Sequence, residues 1–72
     1  MNTFQKILND SFIEEYLGDY NEEKSQITLY GVETFKVDFV APVLKQYTTK
    51  FKVIKLDTFE KRCNVKILDI DI

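Results

Sequence analysis

The sequence contains no histidine, a single cysteine, a single proline and only two glycines in 72 residues. Without histidine the commonest general base and metal ligand is missing, which argues against acid–base catalysis. Cys63 is alone, so no disulfide can close within the chain, and a reducing compartment is the natural setting. It has no histidine to activate it. Lys61 and Arg62 just before it would favour a thiolate, but a small hydrophobe packed in a strand is the favoured reading. Gly18 and Gly31 are single and far apart, so there is no glycine-rich loop to cradle a phosphate. No stretch approaches the ~20 apolar residues of a membrane span, and the N-terminus lacks the basic start and apolar run of a secretory signal. Scarce proline and glycine with 31% charged residues speak against disorder. These absences predict a complete, soluble, cytoplasmic protein that is not an enzyme and needs no cofactor or metal.

What is present is sorted along the chain. Residues 1–35 carry two lysines against seven acids, a balance of −5. Residues 36–66 carry eight bases against three acids, a balance of +5, and the tail adds Asp69 and Asp71. Such asymmetry suggests a charged partner, or halves that dock on each other. Nine lysines to one arginine fits an AT-rich coding sequence of the kind common in Firmicutes and their phages.

The length allows one small domain, 1–72, whose folding buries only ~60% of its unfolded surface. Its core must come from six phenylalanines and many Ile, Leu and Val residues. With no disulfide to staple it, self-association or a stabilising partner is a live expectation.

Phe4, Ile7, Leu8, Phe12, Ile13, Tyr16, Leu17 and Tyr20 recur at spacings of three and four, which predicts a helix over 3–20. Ser11 and Glu14 match a capping box, so this stretch is either one helix or a short turn ending near Asn9-Asp10 and a second helix from Ser11. Gly18 suits a left-handed cap at the helix end, with 21–25 a polar loop. Strands are expected around Ile27–Tyr30, interrupted by a turn or bulge at Gly31, and over 34–39, where Phe35, Val37 and Phe39 alternate with polar residues. Pro42 ends that strand and can open a helical turn over 43–47. A third strand covers 51–56, with 57–62 a connection. The last strand covers 64–72, where the alternation slips between Ile67 and Leu68 and suggests a bulge or burial on both faces. The expected fold is α+β, an N-terminal helix packed on a three- or four-stranded, mainly antiparallel sheet.

Three surfaces carry possible chemistry. Asp69 and Asp71, two apart in a strand, share one side and with a third acid would suit a hard cation; a solvated tail guarding a strand edge is favoured. In the middle segment Tyr47, Lys50, Lys52, Lys55, Lys61 and Arg62 interleave bases with an aromatic. This pattern suits phosphate contacts and base stacking on a single-stranded nucleic acid. The acidic overall charge weighs against it. In the N-terminal region Glu14, Glu15, Asp19, Glu22 and Glu23 lie beside Tyr16 and Tyr20, a combination that suits a basic groove on another protein.

The leading expectation is a non-catalytic accessory or inhibitory factor of a phage or mobile element. It would occlude a basic surface of a partner protein, with Tyr16 and Tyr20 as anchors. The alternatives are a single-stranded nucleic-acid binder, or a self-assembling structural protein whose sheet edges and acid–base split dock like subunits head to tail.

Overall fold

The computed structural model describes residues 2–71, and all structural statements concern these. Helix α1 covers Thr3–Leu8 and α2 covers Ser11–Tyr16. Strands β1 (Leu17–Asn21) and β2 (Gln26–Glu33) follow, then a 3-10 helix over Thr34–Phe39 that runs into α3 (Val40–Leu44). Strands β3 (Lys52–Phe59) and β4 (Arg62–Leu68) end the fold. The strands form one antiparallel sheet in the order β1-β2-β4-β3, so the fold is α+β.

The break between α1 and α2 is written in the caps. Asn2 caps α1 through its side-chain oxygen to the Gln5 amide, and Asp10 caps α2 by accepting from the amides of Phe12 and Ile13. The second helix therefore starts at Ser11, the second of the two alternatives, but its cap is Asp10 rather than Ser11, the carboxylate accepting from two otherwise free amides.

The expected helix over 3–20 ends at Tyr16, and Leu17–Asn21 form β1 instead. The cause is a bulge. Leu17 pairs with Leu29 and Asp19 with Thr28, which leaves Gly18 as an extra residue. That extra residue places Leu17 and Tyr20, three apart, on the same face of the strand, a spacing indistinguishable from a helical one. Gly18 is accordingly no helix cap. The Tyr30 ring lies across it, where a Cβ would collide with ring carbons.

The expected strand over 34–39 is the 3-10 helix. Three residues per turn put Val37 and Val40 on its inner side, where both are buried, while Phe35 and Phe39 point outward. The expected connection over 57–62 is instead mostly strand. β3 continues to Phe59, and Glu60-Lys61 form a two-residue turn with Glu60 at φ 57°. The last strand ends at Leu68, so the slip at Ile67 is its end rather than a bulge. Asp69 then takes φ 53° and Ile70 folds back into the core. Ile72, also expected in that strand, lies outside the described residues.

The core forms on one side of the sheet. Ile27, Leu29 and Val32 of β2 and Cys63, Val65 and Ile67 of β4 meet Phe4, Ile7, Leu8, Ile13 and Tyr16 of the first two helices. Val37, Val40 and Leu44 cover the rest. The other face is not covered by any element. Across it run the rows Lys52–Leu68 and Ile54–Lys66–Thr28, then Phe59–Arg62–Glu33.

Candidate functional site

Strand order decides where the charges go. β1 and β3 are the two edges of the sheet, with β2 and β4 between them. The acids of the N-terminal region flank β1: Glu14 and Glu15 at the end of α2 just before it, Asp19 within it, Glu22 and Glu23 just beyond it. They form a strip along one edge rather than a cluster, because the two ends of β1 are about 13 Å apart at the ordinary strand rise. The bases follow the opposite edge, with Lys50 before β3, Lys52 and Lys55 within it, and Lys61 in the turn after it.

These two edges do not neutralise each other. Glu33 is the one acid of the first 35 residues that forms an ion pair among the described residues. It binds Lys36 at 3.3 Å and Arg62 at 3.0 Å. Lys52 pairs instead with the tail residue Asp69, at 3.7 Å and exposed. Glu14, Glu15 and Glu23 are exposed and make no side-chain bond among the described residues, as are and do Lys50, Lys55 and Lys61. For Glu14, Glu15 and Glu23 on one side and Lys50, Lys55 and Lys61 on the other, the separation along the sequence is also a separation across the sheet, while Lys24 and Lys66 lie near Asp19.

Two members of the acidic set have structural duties. The Glu22 carboxylate accepts from the side-chain amides of Asn2 (3.0 Å) and Gln5 (2.9 Å), which ties the start of α1 to the β1–β2 turn. Asp19 accepts from the amide of Tyr20 at 2.8 Å, closing a backbone donor on the edge strand.

The tyrosines divide. Tyr16 is only 7% exposed and belongs to the core, with its hydroxyl on Glu33. Burial first, and then the bond to Glu33, raises its pKa above the ordinary phenol value. Tyr16 is therefore not placed to anchor a partner. Tyr20 is 52% exposed, its ring tilted against Phe4 at 6.1 Å between centroids, and it remains on the acidic edge. Tyr47 is half-buried against the core, and its hydroxyl donates to Asp10 Oδ2 at 2.6 Å, which raises its pKa. That bond leaves it poorly placed for stacking on a base. Its lysine companions are split: Lys52 lies on the uncovered face with Arg62, while Lys55, opposite Val65, is on the helical side beyond the reach of the helices.

The exposed apolar side chains are not read from the sequence as a surface, and Phe35 and Phe39 are expected there in a half-buried strand. Tyr30, Ile54, Leu56 and Phe59 lie on the uncovered face or its β3 border, and Phe35 and Phe39 on the outer side of the 3-10 helix. One signal was present: Val53 and Ile54 are adjacent and apolar, so a strand containing both must show an apolar side chain on each face.

Other candidate chemistry is thin. Cys63 is buried in the core, as expected for a small hydrophobe. Asp69 and Asp71 follow the end of β4 and are not paired on one strand face. Asp71 is held through its backbone, its amide to Lys50 and its carbonyl accepting from Thr48. Among the described residues no group of three or more His, Cys, Asp or Glu is placed to hold a metal ion. A shallow polar cleft of about 140 Å³ lies beside β1, lined by Asp19, Asn21, Lys24, Gln26 and Lys66. That is well below the ~300 Å³ at which small-molecule pockets begin. No helix is long and apolar enough to cross a membrane.

Comparison with known protein families, with curated proteins and with solved structures returned no match. The class that the fold and the surface define is a two-layer α+β domain with one sheet face and two oppositely charged sheet edges open.

Proposed function

We propose that this chain is a non-catalytic binding protein that acts in the cytoplasm as an accessory or inhibitory factor, of phage or mobile-element type. Its acidic β1 edge covers a basic surface of a partner protein. One observation carries this reading: Glu14, Glu15 and Glu23 beside β1 are exposed and form no side-chain bond among the described residues, while Lys50, Lys55 and Lys61 lie at the far edge. An uncompensated strip of one sign steers an oppositely charged surface and speeds encounter. Tyr20, on the same edge, is the aromatic contact. Tyr16 supports it from the core.

A second reading has its own support. The uncovered face sets Lys52, Lys66 and Arg62 among Tyr30, Ile54 and Phe59, and a sheet bearing cations and aromatics suits a single-stranded nucleic acid.

Labelled poly-L-lysine and a labelled single-stranded oligonucleotide separate the two. For the acidic-edge reading, stopped-flow association with poly-L-lysine should slow about tenfold in Glu14→Gln/Glu15→Gln/Asp19→Asn/Glu23→Gln. A control with the same change in net charge, Asp38→Asn/Asp57→Asn/Glu60→Gln/Asp71→Asn, should stay within about twofold. Equal slowing in both would reduce the strip to net charge and remove the reading. Salt-sensitive oligonucleotide binding lost in Lys52→Gln/Lys66→Gln would install the second in its place.

A further inference from the structure

We infer that the acidic β1 edge of one copy of this chain pairs with the basic β3 edge of another, extending the antiparallel sheet from molecule to molecule. The inference rests on the proposed role of the β1 edge and names its cationic partner as a second copy.

Strand polarity carries the first part of the argument. Each neighbouring pair in β1-β2-β4-β3 is antiparallel, so β1 and β3 run in opposite directions. A copy shifted sideways without rotation brings its β1 beside β3 as an antiparallel neighbour, with the helices of both copies on the same side. No strand within either chain has to change its pairing.

Charge carries the second part. β3 is an eight-residue strand with β4 as its one partner, and most of its side chains are exposed. Its first half is flanked by Lys50, Lys52 and Lys55, and β1 by Glu14, Glu15, Asp19 and Glu23. Pairing of β1 with β1, or of β3 with β3, sets like charges together, which guards each edge against its own kind. The β1–β3 combination is the one that the charges allow. Tyr20 and Val53 both face the helical side, being paired with Ile27 and Ile67. Setting them opposite each other brings Lys50 towards Glu23 and places Lys52 diagonally between Asp19 and Glu23. The Asp19 bond to the Tyr20 amide, a contact between exposed neighbouring residues, would be exchanged for a ladder bond. A heterologous contact of this kind grows into a ring or a filament.

Sedimentation velocity from micromolar to millimolar protein tests this at about 0.1 M and 1 M salt, between which the screening length falls from ~10 Å to ~3 Å. The weight-average mass should rise with concentration to about twice the monomer mass or more at low salt, and fall back at high salt. Reversing either edge, Asp19→Lys/Glu23→Lys or Lys50→Glu/Lys52→Glu, should leave a monomer. Mixing the two reversed chains should restore assembly, because each then offers the charge that the other lacks. A wild-type monomer throughout, assembly that survives both reversals, or no recovery on mixing overturns the inference. If circular dichroism shows a reversed chain unfolded, zero-length carbodiimide cross-linking of the wild type decides. Links from Lys50 or Lys52 to Asp19 or Glu23 in the dimer band support the pairing, and a dimer band without them overturns it. The Lys52–Asp69 ion pair within one chain supplies the internal control. A monomer that still binds poly-L-lysine through its edge acids removes the second copy but leaves the proposed docking edge intact.

Discussion

The Tyr16 hydroxyl lies 3.0 Å from Oε1 and 3.1 Å from Oε2 of Glu33, and so joins the second helix to the end of β2. The same carboxylate holds Lys36 and Arg62. Partial burial works against its ionisation, but the bonds from Tyr16 and Lys36 and the two cations outweigh it and hold Glu33 below the usual carboxylate range. Its bond to Glu33 also holds Lys36 above the usual ammonium range. A lowered carboxylate contributes stability that is fully present above its unfolded pKa of ~4.3 and is lost as pH falls through the folded value. Lys36 and Tyr16 act at the other end: their contributions are present below the unfolded values near ~10 and fade as pH rises through the folded ones. Thermal melts by circular dichroism should therefore show an acid decline that is shallower in Glu33→Gln than in the wild type. An unchanged acid limb would mean that this carboxylate is not coupled to folding. Tyr16→Phe, which removes one hydrogen bond to a charged group, should cost about 1.5 kcal/mol.

Gly18 sits under the Tyr30 ring, so its lack of a side chain is a packing requirement rather than a matter of backbone angle. Gly18→Ala should destabilise the domain by about 1–2 kcal/mol, the usual cost of forcing a methyl group into occupied space. Tyr30 is half exposed, and Tyr30→Thr should cost little by itself. In the double variant the alanine no longer meets a ring, so much of the loss should return. Urea titration of the four proteins in a double-mutant cycle measures that coupling, and strict additivity would contradict the packing.

The 3-10 helix inverts the ranking of its apolar residues. Val37 is 6% exposed and Phe35 is 72% exposed. Val37→Ala should cost about 2 kcal/mol for two lost methyl groups and the space left behind. Phe35→Ser should stay within about 0.5 kcal/mol, as surface substitutions do. A half-buried strand would make the phenylalanine the costlier loss, so denaturant midpoints of these two variants distinguish the geometries.

The elements best read from sequence are those whose side chains carry their own local instruction. The polar run before Phe12 allows a helix start at Ser11, one of the two alternatives, although the residue that caps α2 is Asp10 rather than Ser11. Gln26–Leu29 and Arg62–Ile67 alternate because one sheet face is covered and the other is not, and the alternation alone implies a half-buried antiparallel sheet. Residues 17–20 and 34–39 were misleading for one reason: a bulge imitates the helical period, and a 3-10 helix carrying outward phenylalanines imitates a strand. In both places apolar spacing was present, but the identity of the neighbour that covers it was not.

The candidate surfaces show the same division. The sequence by itself determined that charge is segregated, that the chain carries no histidine and one cysteine, and that a helical layer meets an antiparallel sheet, because composition and local periodicity suffice for each. Only the tertiary structure decided that the acids around β1 and the lysines of residues 50–61 stand at opposite edges of one sheet, while Lys36 and Arg62 meet Glu33. It also decided that Tyr16 and Tyr47 are tied inward while Tyr20, Tyr30 and Phe59 look out. These outcomes depend on strand order and register, which arise from contacts between residues far apart in the chain, and no local pattern encodes them.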